Sequence, residues 1–223
     1  MKITKKFVCI ILALAMLGSI SAMAVSHPFT DVSRNSWYAG DVEYVFKNGL
    51  MSGMGASTFA PHVNMNRAML VTVLYRLENS PAVKGSSPFT DTKKGAYYYD
   101  AVVWAYENEI VNGMSATLFA PGNNISREQM VTIFARYANY KGHETLALND
   151  LVDYSDRQKV SGYALGAFRW AVGAGVINGS SPTELNPQGT ATRAQCAAIL
   201  HRFIDWKDSN DSGEGDNWEL PAL

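Results

Sequence analysis

The sequence predicts an all-α protein made of three tandem two-helix repeats joined by long ordered loops. Three observations lead there. Phe29-Thr30-Asp31, Phe89-Thr90-Asp91 and Tyr154-Ser155-Asp156 each open a block. Each block closes on a helix whose first residue is arginine: Asn66-Arg67-Ala68, Ser126-Arg127-Glu128 and Thr192-Arg193-Ala194. Between them stands Phe59-Ala60-Pro61, Phe119-Ala120-Pro121 or the degraded Leu185-Asn186-Pro187. The first two blocks align at an offset of 60 without a gap; the third follows at 65, then at 66 after one inserted residue between Asp156 and Tyr163. A unit this small does not bury its apolar face alone, so the copies are expected to share one core. Three copies also imply three related surfaces, whereas a catalytic centre needs only one.

The first helix of each block follows the Phe-x-Asp opening. In block two, Ala101 to Ile110 set Val102, Ala105 and Tyr106 on one face at helical spacing. The aligned residues are Val42, Val45 and Phe46 in block one, and Phe168, Ala171 and Val172 in block three. An aromatic column, Tyr44, Trp104 and Trp170, lies beside that face. Gly49 and Gly175 stand where a left-handed cap is wanted, and Glu109 breaks the pattern in block two. A second glycine column, Gly53, Gly113 and Gly179, permits turns that a side chain would obstruct.

The second helix is marked more strongly. Asn66, Ser126 and Thr192 are N-cap types, and Ser126 with Gln129 and Thr192 with Gln195 make capping boxes. Counted from the arginine, one narrow apolar stripe recurs: Leu70, Val73, Leu74, Leu77; Met130, Ile133, Phe134, Tyr137; Cys196, Ile199, Leu200, Phe203. Three such stripes facing one another give a central three-helix core. No period-two strand pattern is present.

Arg67, Arg127 and Arg193 are anomalous, because a cation in the first turn opposes the helix dipole by a few tenths to about 1 kcal/mol. Arg76, Arg136 and Arg202, in the last turns, are placed where the dipole favours them. Two readings of the early set stay open. One is an anion site, in which backbone N–H groups and a planar guanidinium hold a carboxylate or phosphate. The other is a structural pin, in which each arginine pairs with Asp31, Asp91 or Asp156. The two coexist if the aspartate orients the arginine.

Met1 to Ala24 reads as a secretory signal peptide: Lys2, Lys5 and Lys6, an apolar run from Phe7 to Leu17, and Ala22-Met23-Ala24 for cleavage. The expected segments are 1–24 signal peptide, 25–84, 85–147 and 148–205 for the repeats, and 206–223 an acidic Gly/Ser-rich disordered tail. Without the signal lysines the nineteen basic residues fall to sixteen against twenty acidic, a net charge of −4. From Asp205 onward six acids face one lysine, so the repeat body is near neutral. Such a balance gives no basic field for nucleic acid or an anionic membrane. After cleavage one cysteine remains, Cys196 on an apolar stripe, expected as a core residue.

The ordered set of features resembles the S-layer homology (SLH) domain family over Phe29 to about Ile204. The family's Thr-Arg-Ala-Glu signature stands here as Asn66-Arg67-Ala68-Met69, Ser126-Arg127-Glu128-Gln129 and Thr192-Arg193-Ala194-Gln195. The resemblance implies a pseudo-three-fold spindle with grooves between repeats. It also implies a bacterial cell-surface location and non-covalent binding of a secondary cell-wall polysaccharide bearing pyruvate ketals, with the signature arginine as ligand contact. The polysaccharide-binding residues so implied are Arg67, Arg127 and Arg193, with Asp31, Asp91 and Asp156 orienting them. Tyr44, Trp104 and Trp170 would offer stacking surface, although their place beside a core face favours a core role, and Gly53, Gly113 and Gly179 would shape the grooves. None of the copies keeps the signature's final Glu, and copy one loses the capping box, so Arg127 and Arg193 are expected to matter more than Arg67.

The expectation is a secreted, non-enzymatic wall-binding module, a stand-alone coat or adaptor with a possible surface-layer or envelope partner and no cofactor. The alternative is a secreted carbohydrate-active enzyme, a glycoside hydrolase working through paired carboxylates. His27, His62, His143 and His201 have no metal-ligand spacing. Asp208, Asn210, Ser212, Gly213, Glu214, Asp216 and Glu219 match an EF-hand loop pattern, but the exiting helix is missing, and a mobile tail with weak or no calcium binding is expected.

Overall fold

The computed structural model describes residues 27–212; the expected signal peptide and the tail beyond Ser212 lie outside them. Among the described residues there are six α-helices: α1 Ala39–Lys47, α2 Arg67–Leu77, α3 Tyr99–Glu107, α4 Arg127–Tyr140, α5 Leu165–Gly173 and α6 Arg193–Asp211. Two 3₁₀ turns, Arg157–Lys159 and Gly162–Ala164, lead into α5, where the third repeat carries its inserted residue. The protein is all-α. Among the described residues the only extended pairings are isolated β-bridges.

The repeats are interlaced. α3 packs on α2, α5 on α4, and α1 on α6, so each first helix lies against the second helix of the preceding repeat and the last contact closes the ring. The second helices bring their stripes to the centre, where Leu70, Leu74, Met130, Phe134, Tyr137, Cys196, Leu200 and Phe203 are fully buried. Long aromatic side chains span the middle: Phe203 meets Phe134 at 5.0 Å and Tyr137 at 5.6 Å between ring centroids. The Tyr137 hydroxyl donates to Glu78 at 2.5 Å, joining α4 to the end of α2.

One end of the spindle is closed by backbone. The segments before α2, α4 and α6 pair through the bridges Asn64–Thr192, Asn66–Asn124 and Ser126–Thr190, so every repeat bonds to both others. The same loops satisfy the helix N-termini. The amides of Arg67 and Ala68 donate to Asn123 and Pro121, those of Arg127 and Glu128 to Gly189 and Pro187, and those of Arg193 and Ala194 to Val63 and Pro61, all at 2.8–3.1 Å. Asn66, Ser126 and Thr192 cap the next donor, and the latter two form complete capping boxes. Asn66 keeps its cap although its box is lost.

α6 continues to Asp211, past the boundary where the tail was expected to begin. Trp206 is the reason: its ring packs on Trp170 at 5.0 Å and on Phe203 at 5.9 Å. Lys207 adds an i,i+4 bridge to Asp211 at 3.0 Å. Asp208 and Asn210, two positions of the EF-hand pattern, are therefore helical; the rest of that pattern beyond Ser212 lies outside the described residues.

A core shared by all three repeats unfolds as one unit. Phe203→Ala should cost about 3–5 kcal/mol and lower a single calorimetric transition. Two separated transitions would break the interlaced description.

Candidate functional site

The Phe-Ala-Pro turn is held from two sides. The Asp31 carboxylate accepts the amides of Phe59 at 2.8 Å and Ala60 at 2.7 Å. Arg193, from the third repeat, donates its Nε to the carbonyl of the same Phe59 at 2.8 Å. The pattern recurs with Asp91, Phe119 and Arg67, and with Asp156, Leu185 and Arg127. Aspartate and arginine therefore grip one peptide residue, the aspartate from within the repeat and the arginine from the preceding repeat around the ring. No ion pair joins them among the described residues, so the pairing form of the structural pin is corrected: the peptide stands between the two charges. Ala60, Ala120 and Asn186 sit in the left-handed region at φ 59, 58 and 50°, a conformation that the carboxylate's two accepted bonds hold in place.

All three arginines are buried, at 4–5% exposure. Burial pulls each guanidinium below the ordinary arginine value, while Asp91 beside Arg67 and Asp156 beside Arg127 push the other way. Arg67 and Arg193 also lie over the rings of Phe119 and Phe59, at 4.7 and 4.5 Å. Arg127 faces Leu185 instead; it donates Nη2 to Asn178 at 2.8 Å, and Arg193 does the same to Ser52 at 2.6 Å. Arg67 has no such second bond among the described residues. The backbone donors assumed for an anion at the helix start are occupied by the neighbouring loop, so the guanidinium edge, not the helix terminus, is what remains for a ligand.

Each arginine forms the floor of a groove, and the grooves are equivalent by sequence register. The first, about 330 Å³, has Arg193, Gly53, Arg76 and Tyr97 in its lining. The second, about 260 Å³, has Arg67, Gly113, Arg136 and Tyr163. The third, about 270 Å³, has Arg127, Gly179, Arg202 and Trp37. Every groove draws an arginine from one repeat, a helix from the next and an aromatic from the remaining one. No acidic side chain stands in any of the three linings. Arg202 depresses Arg127 further from across its groove, behind burial as the main cause.

Family comparison settles what this architecture is. The S-layer homology domain model matches residues 28–68, 88–131 and 153–197. The chain belongs to the S-layer homology family. It is 30% identical over 180 residues to an endoglucanase of Bacillus sp. (strain KSM-635), covering 81% of this chain and 19% of that protein. It is 30% identical over 201 residues to the surface-layer 125 kDa protein of Lysinibacillus sphaericus, covering 88% and 17%. The S-layer protein EA1 of Bacillus anthracis is 22% identical over 163 residues, covering 70% and 19%. The chain thus spans less than a fifth of those relatives' length. SLH domains attach proteins to the cell wall, which places this chain at the cell surface. The SLH repeats occupy the described residues and leave no separate catalytic domain evident among them.

The SLH spindle distributes the expected site residues unevenly. Arg67, Arg127, Arg193, Gly53, Gly113 and Gly179 all line grooves. A Cβ on any of these glycines would come within 3.0 Å of backbone carbonyls and of the opening aromatic, Phe29, Phe89 or Tyr154. Asp31, Asp91 and Asp156 act on the turn, one peptide removed from the arginines. Trp104 and Trp170 are buried at 4% and 1% in helix seams, and Tyr44 stacks on His201 at 3.8 Å, so none of the three is in a groove lining. Their placement follows the helix period, which turns them toward the preceding repeat. The exposed aromatics are a different column: Trp37, Tyr97 and Tyr163, at 65, 64 and 57% exposure. The same offsets of 60 and 66 relate them, so the repeat register itself could have exposed them. Arg76, Arg136 and Arg202 also reach the grooves, a role that the dipole argument alone conceals. Burial and then the nearby Glu128 carboxylate push the Tyr163 hydroxyl up to about 12.

Asp31 provides a pH test of the clamp. Burial pushes its carboxyl up, but the Phe59 and Ala60 amides outweigh it and hold the group below its ordinary 3.8. A depressed carboxylate stabilises the fold above its unfolded pKa and loses that contribution as pH falls through the folded value. Asp31→Asn should therefore cost about 1–2 kcal/mol at pH 7, allowing for exposure. The gap in melting temperature to wild type should close as pH falls below the ordinary carboxylate value and through the lower folded one. A gap that is constant with pH would remove the carboxylate from the account.

Proposed function

We propose that the three grooves bind an acidic cell-wall polysaccharide non-covalently, and that the ligand group is the carboxylate of a pyruvate ketal on a secondary cell-wall polymer. The observation that carries this reading is the repeated groove lining: two arginines, one exposed aromatic and no acid. Two guanidiniums converging in a partly desolvated cleft repel each other, and an anion relieves that cost. The exposed ring of Trp37, Tyr97 or Tyr163 offers a sugar a flat apolar face. A carboxylate pair of the kind glycoside hydrolysis uses is missing from all three linings, which favours binding over turnover. The protein is then an adaptor or coat component, held to the wall by its grooves.

The groove under Arg67 is ranked first. Arg67 keeps both Nη nitrogens clear of protein carbonyls among the described residues, whereas Arg127 and Arg193 each commit one. This reverses the order that the capping boxes suggested.

The two arginine sets give separable outcomes. Arg136→Lys and Arg202→Lys should weaken wall binding by about tenfold each with little change in melting temperature, because neither side chain bonds a backbone carbonyl among the described residues. Arg67→Lys should lower both, since its Nε carries the clamp. Co-sedimentation with purified sacculi, before and after the secondary polymer is stripped by hydrofluoric acid, measures this. Equal binding to both preparations would refute polymer recognition, and loss of glycan mass on incubation would favour an enzyme.

A further inference from the structure

We infer a second sugar-binding surface, continuous with the groove under Arg67. It rests on the anion-binding reading of that groove and extends it. A cleft of about 770 Å³ lies at the end of the second repeat, between the C-terminal ends of α3 and α4. Arg136 and Asn112 line both this cleft and the groove, so the two spaces are contiguous. Tyr106 and Tyr140 stand in its wall at 43% and 41% exposure, and Glu107 and Glu109 supply carboxylates.

Glu109 is the telling residue. It has φ 59°, in the left-handed region, at the position where the other two repeats carry glycine, Gly49 and Gly175, both at φ 69°. A side chain there is strained where glycine is not. The fold does not need it, since two of three copies turn the same corner without one. Its carboxylate has no ion-pair partner among the described residues, and neither has that of Glu107. A carboxylate that lines a cleft from a strained backbone position points to a ligand.

The chemistry selects neutral sugar. Two carboxylates repel an anion but accept well from hydroxyl groups, and tyrosine rings pack against pyranose faces. Arg136 sits at the junction, where the anionic residue would end. The occupant is thus the run of neutral sugars next to the ketal on the same polymer chain. The corresponding cleft in the third repeat, about 490 Å³, keeps Arg202, Asp205 and Trp206 but carries Gly173, Ala174 and Gly175 where the second repeat has Glu107, Asn108 and Glu109, and Leu148 lies against Gly173, so it lacks the paired glutamates.

Titration calorimetry of the full chain tests this with three probes: a methyl glycoside carrying one pyruvate ketal, an oligosaccharide released from the polymer with its ketal, and the same oligosaccharide without it. Glu109→Gly restores the residue of the other repeats, so its melting temperature should hold or rise. It should weaken the ketal oligosaccharide by about fivefold and leave the single ketal unchanged. Tyr140→Ala should do the same, and should abolish the weak binding of the ketal-free oligosaccharide. Unchanged oligosaccharide affinity in both variants would overturn the second surface while the grooves stand. Failure of wild type to bind the single ketal, with the ketal-free chain still sensitive to Tyr140→Ala, would instead overturn the groove reading and keep the surface.

Discussion

The peptide that follows the opening aspartate in each repeat is gripped by two opposite charges that never touch each other. Asp31 takes the amide of Phe59 and Arg193 takes its carbonyl, and the same arrangement is built twice more. The turn it stabilises contains a non-glycine residue in the left-handed region, which costs about 1–2 kcal/mol. Charge-assisted hydrogen bonds contribute about 1.5–3 kcal/mol each, so the grip outweighs the strain. Because the aspartate belongs to one repeat and the arginine to the preceding one, the interaction that shapes the turn also fixes where the next repeat stands. Once the turn is set, its proline and following carbonyls point at the N-terminus of the neighbouring helix and satisfy its free amides.

That dependence explains why the repeats come as a closed set. A single repeat would carry an arginine with no carbonyl to bind, a helix terminus with unpaired amides, and a first helix with no second helix to lie on. Two repeats would leave the same defects at one seam. Three close the ring, with α1 returning to α6 and the Asn64–Thr192 bridge joining the first repeat to the last. The grooves obey the same rule, since each needs all three repeats to assemble its arginine, its helix and its aromatic.

Much of this was legible in the sequence, for identifiable reasons. The second helices were readable because caps, arginines and the apolar stripe fall at fixed offsets, and local rules suffice for such elements. The buried stripe from Leu70 to Leu74, and its copies, required nothing beyond periodicity. The partner of the arginines was not readable. The sequence left an anion site and an ion pair with the opening aspartate both open, whereas Phe59 and Arg193 are far apart in the chain and meet only through ring closure. The aromatics divide for a related reason. Trp104 and Trp170 stand beside a core face, and the helix turns them inward; Trp37, Tyr97 and Tyr163 lie just before the first helices, outside the helical period, where only the repeat offsets mark them. The extension of α6 to Asp211 was hidden by an acidic composition that reads as disorder, and only Trp206 hints otherwise.

Arginine is required in the first helical turn by geometry rather than by charge alone. Its guanidinium has two edges. The Nε edge turns inward and donates to the turn carbonyl; the Nη edge turns toward the groove. A lysine, with one donor group on a flexible stem, would have to choose between stitching the repeats and meeting a ligand. The unfavourable dipole position is then a consequence of the job: only from the start of the helix does the side chain reach across to the adjacent repeat's turn while still lying under the groove. The degree to which each arginine has turned its outer edge to protein differs. Arg127 and Arg193 give a second donor to Asn178 and Ser52, and Arg67 does not. The Arg67 groove is also the one that opens into the tyrosine-lined cleft. A fold with near-perfect three-fold stitching therefore carries an unequal set of sites, and the inequality lies in side chains that the stitching leaves free to vary.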